Sequence, residues 1–585
     1  MSSQVDFIDK VINPLQNNQL FFEKAHIHTN KTTYFPTDNI WFKAYVGGFN
    51  NRPSLKTTCL YVNLLDSKGN LIKSKTIFIF KGTGKGQFQL NDTLELGKYY
   101  IQAYTNYMRN FGDNNYFVQE INILNESPLK QENTKNNYDI QILPEGGYLL
   151  EDVENVIGIK ALINGKGYNY SGHILDSKNR EIVSFKSEHL GMTKCKFNYN
   201  SNEKYKAILN INDTVIKIDV PLAKSKGIVI NIDNENEEFI DVTIKTNERT
   251  LNKFELNKFN LLLHQKNRII DFFEISKIDS TLVNLKLEKS FFFHGVNSLT
   301  LFQNNTPILE RKLFIEKPSS SISVDLQKGS KEIDSINYKL KVLEPQESKS
   351  VQSNISVSVL PLNTLSFDEK VNIKSAFLLT PYVKGFVENP AYYLNKNNLN
   401  RTKHLDLLLL TQGWTQYTLN EMVKELNPKY KYDFELGFKL NGKVSPVLHN
   451  ELVLISNENL LIDKVLLNEK TNFSFSKLLV YKGDTLKVSF LNELKETVKP
   501  RVIYFDSIKT KTSPKFETYN LELSNTKETQ DDTGNSWKSF YYANATQLEK
   551  VTVVGKKRSD KYYKRQKLLD KYSKIVYGIG QYYDL

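Results

Sequence analysis

Leu60-Tyr61-Val62-Asn63-Leu64-Leu65, then Asp66-Ser67-Lys68-Gly69-Asn70, then Ile77-Phe78-Ile79-Phe80 is the stretch that decides the fold. Short apolar segments of period two, rich in branched and aromatic residues, are the pattern of half-buried strands. The Asp, Ser, Gly and Asn between them are turn formers. Tyr99-Tyr100-Ile101-Gln102-Ala103-Tyr104 repeats the pattern, at a spacing typical of two-sheet sandwiches. Residues 20–125 are therefore expected to form one β-sandwich, preceded by an N-terminal helix or arm over 1–19.

The same style continues outward. Residues 137–223, with a tight turn at Gly146-Gly147, and 227–317, closing on Lys312-Leu313-Phe314-Ile315, read as two further sandwiches. Pro318-Ser319-Ser320-Ser321 reads as a linker. A fourth sandwich is expected over 320–430, including Ile355-Ser356-Val357-Ser358-Val359. Inside it the period changes to three and four over 372–426, as in Leu407, Leu410, Trp414 and then Leu419, Met422, Val423, Leu426. That is a helical insertion, two helices broken near Gly413. Residues 434–505 form a fifth β unit, 506–545 a polar linker, and 546–585 a strand followed by a basic, tyrosine-rich tail. The expected fold is mostly β: tandem immunoglobulin-like sandwiches in a rod, with a helical insertion in the fourth unit.

With 585 residues the chain is too long for a single core, and at about 100 to 150 residues per domain it predicts four to six. Two cysteines, Cys59 and Cys195, exclude a disulfide-stapled scaffold and a four-cysteine metal site. No apolar run approaches the roughly 20 residues of a membrane-spanning helix. Of the net charge of +13, a local +8 falls between Lys550 and Lys574, where ten Lys or Arg face Asp560 and Asp570. A nucleic-acid binder shows instead a basic face on a folded domain, so no nucleic-acid partner is expected. The start, MSSQVDFIDK, shows no secretory signal.

Several strings resemble known envelope proteins. Glu23-Lys24-Ala25-His26-Ile27-His28-Thr29-Asn30, Tyr34-Phe35-Pro36 and Ile40-Trp41-Phe42-Lys43-Ala44-Tyr45 are similar to a macroglobulin-type domain of the α2-macroglobulin superfamily. Ala103-Tyr104-Thr105-Asn106-Tyr107-Met108-Arg109-Asn110-Phe111, Leu143-Pro144-Glu145-Gly146-Gly147, Gly385-Phe386-Val387-Glu388-Asn389-Pro390 and Leu408-Leu409-Leu410-Thr411-Gln412-Gly413-Trp414 resemble large envelope proteins of Gram-negative bacteria. The resemblance implies macroglobulin-like sandwiches, a carboxypeptidase-regulatory-like sandwich over 434–505, and then the start of a TonB-dependent receptor plug. It also implies a place in the periplasm or at the periplasmic face of the outer membrane. The sequence ends at Leu585, just after Tyr577-Gly578-Ile579-Gly580-Gln581, where such a plug would be starting.

In that light Leu548-Glu549-Lys550-Val551-Thr552-Val553-Val554-Gly555 looks like the strand around a TonB box. A short branched segment after a polar linker can add to a sheet edge, its backbone supplying affinity and alternate side chains selectivity. Leu548, Val551, Thr552, Val553, Val554 and Gly555 are thus the candidate partner-binding strand. An outer-membrane or periplasmic protein, with TonB or a transporter as the named candidates, is the expected partner, and peripheral membrane contact is a further one.

No catalytic, cofactor-binding or metal-binding residue is assigned. His26 and His28 share a strand face without a visible third ligand. Lys81-Gly82-Thr83-Gly84-Lys85-Gly86 precedes a strand, whereas phosphate cradles open a helix. Glu145, Glu388 and Asp406 read as isolated carboxylates that pair with nothing for acid and base work. Cys59 and Cys195 fall in different sandwiches, and neither has the setting of the thioester of true α2-macroglobulins. Trp41, Phe42, Tyr45 and Trp414 are expected mainly in the core. The expected function is non-enzymatic binding or scaffolding for an outer-membrane TonB-dependent transport or assembly system. The alternatives are a peptidase or glycan-processing enzyme with a site between domains, and a macroglobulin-like protease inhibitor without thioester.

Overall fold

The computed structural model describes residues 2–17, 21–112, 115–124, 136–251, 257–266, 268–317, 323–331, 335–343, 353–360, 364, 366–413, 431–456, 462–467, 471–481, 483–506, 567 and 574–575. The candidate strand 548–555, the linker from 507 onward and Trp414 lie outside the described residues.

The described chain is mostly β and consists of tandem two-sheet sandwiches. In the first, Lys24–Thr29, Asn39–Gly47 and Thr83–Gln89 form a three-stranded sheet. It faces a five-stranded sheet ordered Thr33–Tyr34, Phe117–Ile123, Gly97–Tyr104, Cys59–Asp66, Leu71–Phe78. Alternation does the sorting: Ile40, Phe42, Ala44 and Val46 are buried, while Trp41 between them is 55% exposed. The turn after Cys59–Asp66 closes as expected for an Asx turn, with Asp66 Oδ1 accepting from the backbone N–H of Lys68 at 2.8 Å and of Asn70 at 2.8 Å.

The second sandwich pairs Glu154–Ile163 with Tyr138–Pro144, Lys166–Gly167 and Met192–Asn198. Its other sheet is Glu181–Lys186, Ser171–Leu175, Lys206–Ile211, Thr214–Asp219. The third sets Ile228–Asp233, Phe239–Thr246 and Leu282–Glu288 against Arg268–Lys277, Asn257–Gln265, Gly295–Gln303 and Thr306–Ile315. The last builds on Phe438–Ser445, Asn472–Leu478 and Val502–Phe505, facing a sheet that contains Ile462–Leu466, Glu451–Ser456, Leu486–Leu491 and Thr497–Val498, with Lys574–Ile575 paired to Leu486–Leu491.

Three expectations need correction. Between the third and last sandwiches the described residues hold a two-stranded ladder, Ser323–Lys331 with Ile336–Leu343, and an extended run over 353–360 without a ladder partner. That run lies on the first sandwich because its serine side chains bond there: Ser356 Oγ lies 2.6 Å from His28 Nδ1 and 2.7 Å from the Tyr45 hydroxyl, and Ser358 donates to the Asn30 carbonyl.

Of the helical region expected over 372–426, residues 414–426 lie outside the described residues, and the rest comes in shorter pieces. Ile373–Leu378 opens with a capping box between Asn372 and Ser375, and Thr380–Tyr382 and Tyr392–Leu394 are single 3₁₀ turns. Pro381 and Pro390 lack the N–H that a continuing helix needs. Among the described residues Arg401–Gln412 is the one long helix, and its Leu405, Leu407, Leu408, Leu409 and Leu410 are all buried.

A helix apolar on nearly every side is a core element and needs partners all round. The modules accordingly do not meet only end to end, as in a rod. Phe22 from the entry to the first sandwich, Met192 from the second and Val296 from the third share one apolar cluster with Leu379, Tyr382, Leu405 and Leu407. Ala376 and Phe377 reach into the core of the first sandwich. At the N-terminus Phe7, Val11, Ile12 and Leu15 pack on Leu262 and Phe302 of the third sandwich. Cys59 and Phe78 of the first sandwich belong to the core of the last.

Candidate functional site

Glu145 follows Pro144 in a turn where Gly146 has φ 78°, a left-handed conformation favouring glycine. A Cβ there would stand 3.0 Å from Ile230 Cγ2, so the turn presses against the third sandwich. The Glu145 carboxylate accepts from Asn231 Nδ2 at 3.0 Å, from the Ile232 backbone N–H at 3.3 Å and from Arg311 Nε at 2.7 Å. Arg311, on Thr306–Ile315, continues the chain: its Nη1 donates to the Lys312 carbonyl at 2.6 Å and its Nη2 to Asp406 Oδ1 at 2.6 Å. Asp406 Oδ2 takes a further bond from Lys194 Nζ at 3.0 Å.

The side chains of Glu145 and Arg311 are each 4% exposed. Burial works against the Arg311 charge, but the Asp406 and Glu145 carboxylates outweigh it and hold the guanidinium protonated. Burial likewise works to raise Asp406, and Arg311 and Lys194 outweigh it and keep that carboxyl below its usual range. The carboxylates expected to be isolated are therefore joined through an arginine. Glu388 accepts from the Gly167 backbone N–H at 2.9 Å and ties the helical region to the second sandwich in the same way. Chemically this is a closed network: its charges are opposed and hydrogen-bonded.

The opening string behaves similarly. Glu23 is buried and accepts from Ser54 Oγ at 2.5 Å and Thr105 Oγ1 at 2.7 Å; burial pushes its carboxyl up. Lys24, buried beside it, donates to Asn51 Oδ1 at 2.5 Å, to the Phe377 carbonyl at 3.0 Å and to the Tyr382 hydroxyl at 3.3 Å, and burial pushes its ammonium down to about 7. A second contact to the helical region is aromatic. His189 stacks on His404 with ring centroids 4.4 Å apart and planes 7° apart, and the Tyr392 hydroxyl lies 2.7 Å from His404 Nδ1. Burial lowers both imidazoles, His189 to about 4.

His26 is buried with its ring edge-on to Phe117 at 5.3 Å, while His28 turns to Ser356, so the two rings do not converge on a common point. Among the described residues no group of three or more His, Cys, Asp or Glu side chains is placed to hold a metal. Cys59 and Cys195 are buried in separate cores and are not joined by a disulfide. Lys81 and Gly82 lie in the turn joining Phe80 to Thr83, and Thr83–Gln89 is a strand.

One open cleft stands apart from these closed contacts. It measures about 750 Å³ and is walled by the outer face of the three-stranded sheet, the extended run at 356–358 and Tyr481 of the last sandwich. Trp41, expected in the core, lines it instead, because neighbours in a strand face opposite ways and Phe42 takes the inward position. Sequence reasoning singled out neither Arg311 nor this cleft. The signal for Arg311 was Glu310-Arg311-Lys312, three charges inside a strand pattern with no turn former among them.

No family model and no curated protein matches the chain. The solved structures it is similar to are β-sandwich proteins. Salmonella α2-macroglobulin reacted with methylamine is 9% identical, at a TM-score of 0.16, over 55% of this chain and 25% of that one. Escherichia coli α2-macroglobulin activated by porcine elastase is 9% identical, at 0.20, over 80% and 42%. Dimeric latent PorU from Porphyromonas gingivalis is 9% identical, at 0.23, over 50% and 34%. The chain thus spans less than half the length of each, and at such scores the likeness carries no argument about function.

Proposed function

We propose that the chain is a non-enzymatic binding scaffold of the Gram-negative envelope, working with an outer-membrane TonB-dependent transport or assembly system. The observation that carries the scaffold reading is the Glu145–Arg311–Asp406–Lys194 network. Glu145, from one of the strings that resemble envelope proteins, and Asp406, two residues before another that begins at Leu408, meet there and are consumed in joining two sandwiches to one helix. Ionisable groups locked into mutual pairs hold elements in register and are not free to exchange protons with a substrate.

The envelope address and the transport association rest on the resemblance of those strings, and 548–555 is the proposed contact strand. The test is binding of the purified periplasmic domain of TonB to the full chain and to a chain lacking 548–555. Binding by the full chain alone, with the same thermal unfolding profile for both, is the expected result. Equal binding by both removes the segment from the mechanism, and binding by neither removes the TonB association.

A further inference from the structure

The cleft carries a different charge logic from the joints. Lys43 and Lys85 are direct cross-strand partners, and His28 is the partner of Lys43 on its other side. One row across three strands therefore reads His28, Lys43, Lys85, all on the face that the cleft exposes. Like charges directly opposite one another destabilise a sheet unless something of opposite sign neutralises them. Among the described residues neither lysine has an ion-pair partner, and none of the residues lining the cleft is Asp or Glu.

Beside this row stand apolar side chains turned to solvent. Trp41 is 55% exposed, Phe80 61% and Val357 63%. Large aromatics left outside a core, next to unneutralised cations, suit a partner that brings both an acid and an apolar group.

The geometry also speaks for a polypeptide. The run at 353–360 already crosses this sheet face in an extended form, with Asn354 Nδ2 bonded to Thr83 Oγ1 at 2.9 Å, Ser356 over His28 and Tyr45, and Ser358 at Asn30. The cleft bounded by that run and Tyr481 measures about 750 Å³. Thr83–Gln89 is the last strand of its sheet, so among the described residues no strand takes up its second side.

We propose that this cleft binds an extended acidic peptide that carries aromatic or large apolar side chains as well as carboxylates. The carboxylates lie over Lys43 and Lys85, and the apolar groups lie against Trp41 and Phe80. The site is separate from 548–555 and stands or falls independently of it.

The probe is a short acetylated, fluorescently labelled peptide, Ser-Glu-Phe-Glu-Ser-Glu, titrated into the full chain and read by fluorescence anisotropy. The same peptide with Lys for each Glu, and an oligogalacturonate as an anionic sugar, serve as competitors. The expected result is saturable binding of the acidic peptide that weakens as salt rises. Competition by the lysine peptide should be absent, and that by the sugar at least about tenfold weaker. Lys43→Glu with Lys85→Glu should weaken binding by about tenfold or more, and Trp41→Ala by several-fold. All three positions face solvent or the cleft, and unchanged thermal unfolding of the variants verifies that they fold. Equal binding of the acidic and basic peptides, tighter binding of the sugar, or binding unaffected by these substitutions in folded protein overturns the proposal.

Discussion

At the junction of the second and third sandwiches, Arg311 is buried and its Nε, Nη1 and Nη2 each meet an acceptor. On the outer face of the first sandwich, Lys43 and Lys85 stand opposite one another with no carboxylate lining the cleft they share. The two regions are built from the same strand geometry and use charge in opposite ways. A buried charge is tolerated only when paired, so the junction is closed by necessity. A surface charge has water as its default partner, so the cleft is free to exchange that water for something else. Closed polar networks mark where this molecule is held together, and unmatched ones mark where it can take a partner.

The largest expected effect breaks the closed side. Arg311→Met leaves Glu145 and Asp406 without their shared cation and should cost about 3–5 kcal/mol in chemical denaturation. Adding Glu145→Gln and Asp406→Asn removes the orphaned charges and should restore much of that loss. A single substitution that cost less than about 1 kcal/mol would mean that the network is incidental.

Next comes the apolar half of the same junction. Leu408 is 1% exposed on Arg401–Gln412, and Leu408→Ala should cost about 2–5 kcal/mol by the same measurement. A comparable truncation at Val357, 63% exposed beside the cleft, should stay within about 0.5 kcal/mol.

The stacked pair His189 and His404 gives the contact a pH dependence. Burial holds both imidazoles below their ordinary value, His189 at about 4, so the folded chain binds fewer protons than the unfolded chain in the window between. Stability from this pair is therefore full above about pH 6.5 and is lost as pH falls toward 4. Each proton taken up on unfolding adds a slope of up to about 1.4 kcal/mol per pH unit. His26 and His264, held at about 3 and about 4 by burial, add to the same trend. Unfolding of His189→Gln across this range should show a shallower slope than the parent chain, and an identical slope would remove the stack from the account.

The smallest expected effect is on the open side. Trp41→Ala should leave stability within about 0.5 kcal/mol, because the indole is 55% exposed and fills no core position. A larger loss by denaturation would move Trp41 from the cleft to the core and blur the contrast.

Much of the β architecture was legible because it is local. Ile40, Phe42, Ala44 and Val46 announce a strand and its inward face within seven residues, and Asp66 to Asn70 announce the turn. The same alternation settles Trp41, whose outward position follows once Phe42 is inward. The helix Arg401–Gln412 was visible as an apolar run, but its central place was not, since a sequence shows that a surface is apolar and not which module covers it. The junction was illegible for a related reason: Glu145, Arg311 and Asp406 are separated by 166 and 95 residues along the chain. The cleft draws on residues from His28 to Tyr481 and on a serine run whose pairing switches from an expected sandwich of its own to the face of the first.

The claim on which the rest depends is that the network around Arg311 locks two sandwiches and one helix into a single unit. Amide hydrogen exchange on the parent chain and on Arg311→Met tests it most directly. The account predicts faster exchange in the variant at Ile228–Asp233, where the Ile232 N–H meets Glu145, and along Arg401–Gln412, with Thr83–Gln89 beside the cleft unchanged. Unaltered exchange at the first two segments, or equal acceleration at all three, would contradict it.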